Sequence, residues 1–188
     1  MGRGVDEEFE QWVRARSGGL ARTALLLTGD VHRAEDLVQE TLARVAQHWP
    51  RLVRRGEPDA YARRVLHHAA VDGWRRRRVR PQEAPPVTGE EPTALTAYDG
   101  GAAADRRLLL REALDRLTPK QRAVLVLRYY DDLTEVQTAE VLRCSVSTVK
   151  SQARVALARL RQLAPDLLAE LGDLPDPAAA GRPEVVSP

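Results

Sequence analysis

The chain lacks the sequence patterns that form disulfides, membrane spans or β-sheets. Cys144 is the only cysteine among 188 residues, so no disulfide can form within the chain, and a reducing compartment is expected. No apolar run approaches the roughly 20 residues that a helix needs to cross a bilayer. The N-terminus, Met-Gly-Arg-Gly-Val-Asp-Glu-Glu, has no apolar core of the kind that a signal peptide requires. We therefore expect a soluble, cytoplasmic protein.

Strand patterns and metal-ligand spacings are equally scarce. The β-branched residues fall within helical spacings rather than alternating runs, which predicts an all-α fold. The 4 histidines and the cysteine show none of the spacings typical of metal sites. Asp131 and Asp132 form a turn pair beside a helix cap, which we interpret as solvated rather than catalytic. The sequence thus predicts no enzyme, no cofactor, no bound metal and no small-molecule substrate.

Charge and composition divide the chain into two basic modules and two acidic segments. Arg and Lys outnumber Asp and Glu in residues 5–79 and again in residues 105–163. Residues 80–104, between these modules, are acidic and proline-rich without periodicity, which predicts a flexible linker. Residues 164–188 are also acidic and rich in Pro and Ala, which predicts a disordered tail. Two basic modules of this kind suit a polyanionic partner.

The first module has four amphipathic helical patterns, at residues 6–16, 20–28, 30–48 and 58–78. Ser17, Gly18 and Gly19 are expected to break the chain between the first two. Pro50 is expected to end the third helix. Pro58 occupies a first helical position, where proline is favoured, and so begins the fourth.

The second module contains a helix-turn-helix pattern. An apolar stripe at residues 108–117 predicts one helix, and a capping box at residues 118–121 begins another that extends to residue 130. A second capping box, Thr134 with Gln137, begins the third, and Ser145 caps the fourth. Arg143 lies at a turn where a positive φ often requires glycine, at a cost of up to roughly 1 kcal/mol.

The second helix of this motif presents short hydroxyls and long cations, which suit DNA base edges and phosphates. No acidic residue occurs over residues 144–163. An ordinary helical hairpin with a solvated polar face is the alternative, but such a face would usually mix charges of both signs. The candidate DNA-binding residues here are Ser147, Thr148, Lys150, Ser151 and Arg154.

Four consecutive arginines end the fourth helix of the first module. A collar of guanidinium groups would release counterions on meeting phosphate. Favourable interaction with the helix dipole is the alternative, but one or two arginines would suffice for it. Aromatic residues upstream could stack on unpaired bases, although such residues more often belong to a core. The candidate residues of this helix are Arg63, Arg64, His67, His68, Trp74, Arg75, Arg76, Arg77 and Arg78, with Tyr61 beside them.

The third helix carries a small acidic surface. Asp36, Gln39 and Glu40 fall at positions i, i+3 and i+4, so they share one helix face. This face suits docking of a basic protein. The alternative is a solvated face on which Glu40 pairs with Arg44, and spacing alone leaves both interpretations open.

Taken in order, four segments resemble an extracytoplasmic-function (group 4) bacterial sigma factor of the SigE-like family. They are residues 34–42 (AEDLVQETL), the arginine collar, residues 117–130 (LTPKQRAVLVLRYY) and residues 145–154 (SVSTVKSQAR). The resemblance covers residues 5–78 and 106–162. It implies an alternative sigma factor that binds core RNA polymerase and directs promoter-specific transcription initiation.

The resemblance also implies roles for the candidate residues. Asp36, Gln39 and Glu40 would bind the β′ coiled coil, while the fourth helix would recognise and melt the minus-ten element. The second module would sit on the β-flap and read the minus-thirty-five element through its recognition helix. His68 stands where such proteins often carry Asn. An anti-sigma protein, where one exists, would cover the recognition helix and the acidic face together.

A stand-alone helix-turn-helix repressor or activator is the alternative function. Such regulators usually need a dimerisation element and a palindromic site. The chain shows no heptad seam, so a monomer is expected when it is free. This alternative also leaves the first module unexplained.

Overall fold

The computed structural model describes residues 3–79 and 102–165, and within these ranges every regular element is helical. The all-α prediction is therefore confirmed for the described part of the chain. Contacts divide the chain into one unit within residues 1–100 and a second within residues 101–188. Residues 80–101 of the predicted linker and residues 166–188 of the predicted tail lie outside the described residues.

The first helix, α1, runs without interruption over Arg3–Thr28, so the predicted break near Gly18 is wrong. Ser17 Oγ donates to the carbonyl of Val13 at 2.5 Å, a bond within the helix. Neither Gly18 nor Gly19 adopts a positive φ. Each helical glycine costs about 1 kcal/mol relative to alanine. Packing of α1 against both following helices outweighs that cost.

The second helix, α2, spans Val31–Arg55 and contains Pro50 in its interior, so the predicted end at this proline is wrong. An interior proline costs about 3 kcal/mol. The buried side chains of Trp49 and Leu52 flank it, and burying such a side chain contributes about 1.5–3 kcal/mol. The helix instead ends at Gly56, whose φ of 67° is left-handed.

The third helix of the structure, α3, spans Pro58–Val79 and corresponds to the fourth helical pattern predicted from the sequence. Its first turn is tied to α1 through Asp59. Trp12 Nε1 donates to Asp59 Oδ1 at 2.7 Å, and an Arg16 guanidinium nitrogen lies 2.7 Å from Asp59 Oδ2. Trp12 also lies 5.5 Å, centroid to centroid, from Trp49 of α2. These contacts hold the three helices around a single core.

Over residues 102–165, the second unit contains four α-helices and one π-helical turn. Both predicted capping boxes are confirmed. The hydroxyl oxygens of Thr118 and Thr134 accept from the backbone N–H of Gln121 and Gln137, and the backbone N–H of each Thr donates to the side-chain oxygen of the same Gln. The helix predicted to reach residue 130 changes to π geometry part-way. The elements are α4 (Ala102–Asp115), α5 (Pro119–Leu125), the π turn (Val126–Tyr130), α6 (Glu135–Leu142) and α7 (Val146–Leu163).

A buried arginine joins α5 to the end of α4. Arg122 is 8% exposed, its Nε donates to the carbonyl of Leu114 at 3.0 Å, and its terminal nitrogen lies 3.0 Å from Asp115 Oδ1. Burial lowers the pKa of the Arg122 guanidinium, and the negative charge of Asp115 opposes that shift. Because α5 packs against α7, the contacts of Arg122 with α4 help to hold α7, the second helix of the helix-turn-helix, in place.

A buried hydroxyl in α6 leads to a prediction about stability. Thr138 is fully buried, and its Oγ1 has no hydrogen-bond partner among the residues that the structure describes. A buried polar group without a partner costs about 1–3 kcal/mol. Thr138→Val keeps the shape and removes that group. We expect the free energy of unfolding to rise by about 1 kcal/mol in a chemical denaturation experiment.

Thr41 provides the matched control for this substitution. It is equally buried, but its Oγ1 donates to the carbonyl of Leu37 at 2.8 Å. Thr41→Val removes a bonded hydroxyl and is not expected to stabilise the protein. Equal effects of the two substitutions would contradict the prediction.

Candidate nucleic-acid interface

The turn between α6 and α7 adopts the left-handed conformation that the sequence pattern required. Arg143 has φ 47° and ψ 54°, and its N–H contacts the carbonyls of Ala139 and Glu140. Cys144 N donates to the carbonyl of Ala139 at 3.0 Å. Ala139 is buried, and α6 packs against α7. The predicted helix-turn-helix is therefore present.

Three hydroxyls gather at the N-terminus of α7. Ser145 caps the helix, because its Oγ accepts from Thr148 N at 3.2 Å. The same Oγ lies 2.9 Å from Ser147 Oγ and 2.8 Å from Thr148 Oγ1. A helix N-terminus carries partial positive charge. This end of α7 therefore offers several hydrogen-bonding groups in a favourable field for a phosphate.

The remaining predicted contacts of α7 lie on its outer face. Ser147, Lys150, Ser151 and Arg154 are exposed, and Thr148 is half-buried. At 3.6 residues per turn, the five predicted positions fall within an arc of about 160°. The inner face packs against α5 and α6. It consists of Val149, Ala153, Ala156, Leu157 and Leu160.

Lys150 has an acidic neighbour that sequence spacing does not reveal. Its Nζ lies 3.5 Å from Glu135 Oε2, on the first turn of α6. The two residues are 15 positions apart and meet only because the turn folds α7 back across α6. Helix α7 itself carries no acidic residue, yet one carboxylate is supplied to it by its neighbour.

The predicted acidic face on α2 is exposed. Asp36, Gln39 and Glu40 all lie at the surface, within an arc of about 100°. Buried residues of α2 such as Val45 lie on the opposite side of the helix. Glu40 Oε1 lies 2.7 Å from an Arg44 guanidinium nitrogen, as the solvated alternative required. An exposed pair of this kind contributes only about 0–1 kcal/mol, so it presents little barrier to a partner.

On α3 the predicted residues are not all accessible. Arg63, Arg64 and Arg76 are exposed, while His68, Trp74 and Arg75 are half-buried; the side chains of Arg77 and Arg78 fall outside the described part. His67 is only 2% exposed. The prediction that His67 contacts DNA does not fit this position, because its ring belongs to the core of the first unit.

A cluster around Tyr61 was only partly foreseen from sequence. The Arg64 guanidinium carbon lies 5.6 Å from the centroid of the Tyr61 ring. The Tyr61 and His48 rings are 5.6 Å apart, and Tyr61 OH lies 3.4 Å from His48 Nδ1. The half-buried tyrosine thus joins the end of α2 to the start of α3 and carries a cation on its face.

The described residues show neither a membrane span nor a metal cluster. Within residues 3–79 and 102–165, no helix combines the length and apolar character that crossing a bilayer demands. Over the same residues, no group of three or more His, Cys, Asp or Glu side chains is placed to hold a metal ion.

Comparison with known proteins gives the same two-unit division. Residues 12–80 match Sigma-70 region 2, and residues 107–160 match Sigma-70, region 4. The chain is 39% identical over 162 residues to the RNA polymerase sigma-E factor of Streptomyces avermitilis, covering 86% of this chain and 88% of that protein. It is 36% identical over 143 residues to the ECF RNA polymerase sigma factor SigL of Mycobacterium tuberculosis, covering 76% and 80% respectively.

A solved structure shares the fold. The sigma factor RpoE of Bartonella quintana, determined in complex with the anti-sigma factor NepR, aligns with a TM-score of 0.61 at 21% identity. The alignment covers 85% of this chain and 98% of that one. The chain therefore belongs to the ECF family of RNA polymerase sigma factors, whose members direct promoter-specific transcription initiation.

Proposed function

We propose that this sigma factor divides promoter recognition between its two units. The first, residues 5–79, binds core RNA polymerase and opens the minus-ten element. The second, residues 105–163, reads the minus-thirty-five element. The observation that carries this proposal is the outer face of α7, which combines exposed cations and hydroxyls with no acidic residue of its own.

Within the second unit, α7 is the recognition helix. Lys150 and Arg154 have the length to reach guanine edges or phosphates, and Ser147 and Ser151 can contact either at closer range. Thr148 and the Ser145 cap hold the helix N-terminus in position for a backbone phosphate. The same unit would sit on the β-flap of the polymerase.

Within the first unit, α3 and the loop before it contact the minus-ten element. The exposed Arg63, Arg64 and Arg76 supply positive charge along this helix, and Arg75, Arg77 and Arg78 extend it. His68 and Trp74 are half-buried and would contact bases only at their exposed edges. His67 is left out of this surface, because it supports α3 from the core.

Core polymerase would bind at the acidic face formed by Asp36, Gln39 and Glu40. Its position on α2, opposite the buried stripe, allows a basic partner such as the β′ coiled coil to dock without disturbing the core. Sigma factors are DNA-recognition proteins, so we assign no enzymatic activity and no cofactor to the chain. It would act in the cytoplasm and be monomeric until it meets core polymerase.

Arg154→Ala tests the assignment of α7. If Arg154 contacts a base edge, the substitution should cost about 1–3 kcal/mol, or roughly fivefold to 150-fold in promoter affinity. The loss should appear with the intact upstream box and shrink when that box is scrambled. The measurement is the affinity of reconstituted holoenzyme for the two promoter fragments.

Arg159→Ala serves as its control, because Arg159 is exposed on the same helix but lies about 140° around it from Arg154. Equal losses for the two substitutions, or equal losses on the intact and scrambled boxes, would count against base recognition by Arg154.

A further inference from the structure

Glu135 is an acidic residue that contacts the DNA-reading face of α7 through Lys150. It is the first residue of α6, directly after the Thr134 cap. Its Oε2 lies 3.5 Å from Lys150 Nζ, and the side chains of Glu135 and Lys150 are 30% and 51% exposed. The pair is therefore open to solvent and joins two helices rather than two turns of one helix.

A lysine in such a pair can still donate a hydrogen bond to a base edge. The ammonium group has three donors, so one can face Glu135 while the others face acceptors in the major groove. Guanine O6 and N7 are acceptors that Lys commonly contacts. At the correct upstream box, Lys150 could therefore bind without leaving Glu135.

Binding to unrelated DNA depends on different interactions. Non-specific binding comes almost entirely from cations that replace counterions around phosphates. Lys150 can supply its full charge to a phosphate only if it leaves Glu135, and the carboxylate that remains behind repels the same backbone. Glu135 should therefore weaken non-specific binding more than specific binding.

We propose that Glu135 is a specificity-determining residue, which orients Lys150 for base contact and suppresses binding of the recognition helix to non-promoter DNA. This inference rests on the proposed function of α7 and adds to it a residue outside the recognition helix. Glu135 thereby discriminates between DNA that Lys150 contacts only at a phosphate and DNA that Lys150 contacts at a base edge.

Glu135→Gln is the test variant, measured in the full-length protein. Two readouts are needed: binding of the free protein to non-promoter duplex across a salt series, and the preference of reconstituted holoenzyme for promoter over non-promoter fragments. We expect non-promoter affinity to rise about threefold to fivefold, with a salt slope steeper by up to about 0.9. The promoter preference of the holoenzyme should fall by a similar factor.

Two controls separate this role from general effects. Glu140→Gln removes the same charge from an exposed position on the same helix and should change non-promoter affinity less. In a Lys150→Ala background, Glu135→Gln should raise non-promoter affinity by less, because only the direct repulsion between the carboxylate and the DNA backbone remains. A merely structural contribution of Glu135 to the start of α6 would be equally large in that background.

The outcomes are distinguishable. Equal effects of Glu135→Gln and Glu140→Gln, or an effect of Glu135→Gln that is equally large without Lys150, would overturn the specificity role of Glu135. A wild-type holoenzyme that shows no preference for promoter fragments would instead overturn the proposed function itself. Thermal unfolding of each variant establishes that the compared proteins are equally folded.

Discussion

Reversing the charge of the acidic face on α2 is expected to prevent the protein from joining core RNA polymerase. Asp36→Arg combined with Glu40→Arg replaces two exposed carboxylates with cations on a surface that we assign to a basic partner. Like charges brought together at an interface cost several kcal/mol. We expect at least an approximately 100-fold loss of affinity for core polymerase, measured by titration of fluorescently labelled protein.

The fold should tolerate this change. Both positions lie opposite the buried side of α2, and the only ion pair in which Asp36 or Glu40 takes part within the described residues is the exposed pair with Arg44. Glu7→Arg with Glu8→Arg, at exposed positions on α1, makes the same charge change in the same unit. A comparable loss in this control would indicate a general charge effect and not a docking face.

The second large effect is expected from the arginine collar. Arg76→Gln, Arg77→Gln and Arg78→Gln together remove three cations and leave the half-buried Arg75 in place. Each cation that neutralises a single-strand phosphate contributes about 0.7 to the salt slope, so the slope should fall by about 2. At about 0.1 M salt this corresponds to roughly a 100-fold loss of affinity for the opened minus-ten strand.

Promoter melting gives the readout for the collar. A fluorescent base analogue within the minus-ten element reports strand opening by the holoenzyme, and the salt series gives the slope. Arg14→Gln with Arg22→Gln removes exposed arginines from α1 and provides the comparison per charge removed. A collar variant that opens promoters normally, with an unchanged salt slope, would place the minus-ten contacts elsewhere.

Local signals in the sequence were sufficient to predict much of the fold. The capping boxes at Thr118 and Thr134, the cap at Ser145 and the left-handed turn at Arg143 depend on groups within four residues of one another. Such contacts are encoded by short spacings, and the structure confirms all four. The surface positions of the α7 contacts follow from the same helical periodicity.

The helix breaks predicted at Gly18 and Pro50 are wrong, because contacts between residues far apart in sequence outweigh the local signals. Their local cost is about 1 and 3 kcal/mol, but the helices around them bury large side chains against other helices. Trp49 is an example, since it adjoins Pro50 and packs against Phe9 at 5.2 Å and Trp12 at 5.5 Å between ring centroids. Tertiary packing of this kind cannot be read from a window of a few residues.

The site shows the same division between local and long-range information. His67 and His68 follow Arg63 and Arg64 on a helix whose charge suggested a DNA-contacting surface, yet the packing of α3 turns His67 inward. The Glu135–Lys150 and Trp12–Asp59 contacts join residues far apart in sequence. No spacing rule along a single helix predicts either of them.

Run-off transcription with purified chain and sigma-free core RNA polymerase, on fragments of the source genome, tests the central claim most directly. Neither component alone should produce specific transcripts. Together they should produce discrete starts, each preceded by a shared pair of boxes near minus ten and minus thirty-five. Absence of any discrete start, with tight binding of one DNA sequence by the chain alone, would contradict the sigma-factor account and favour a stand-alone regulator.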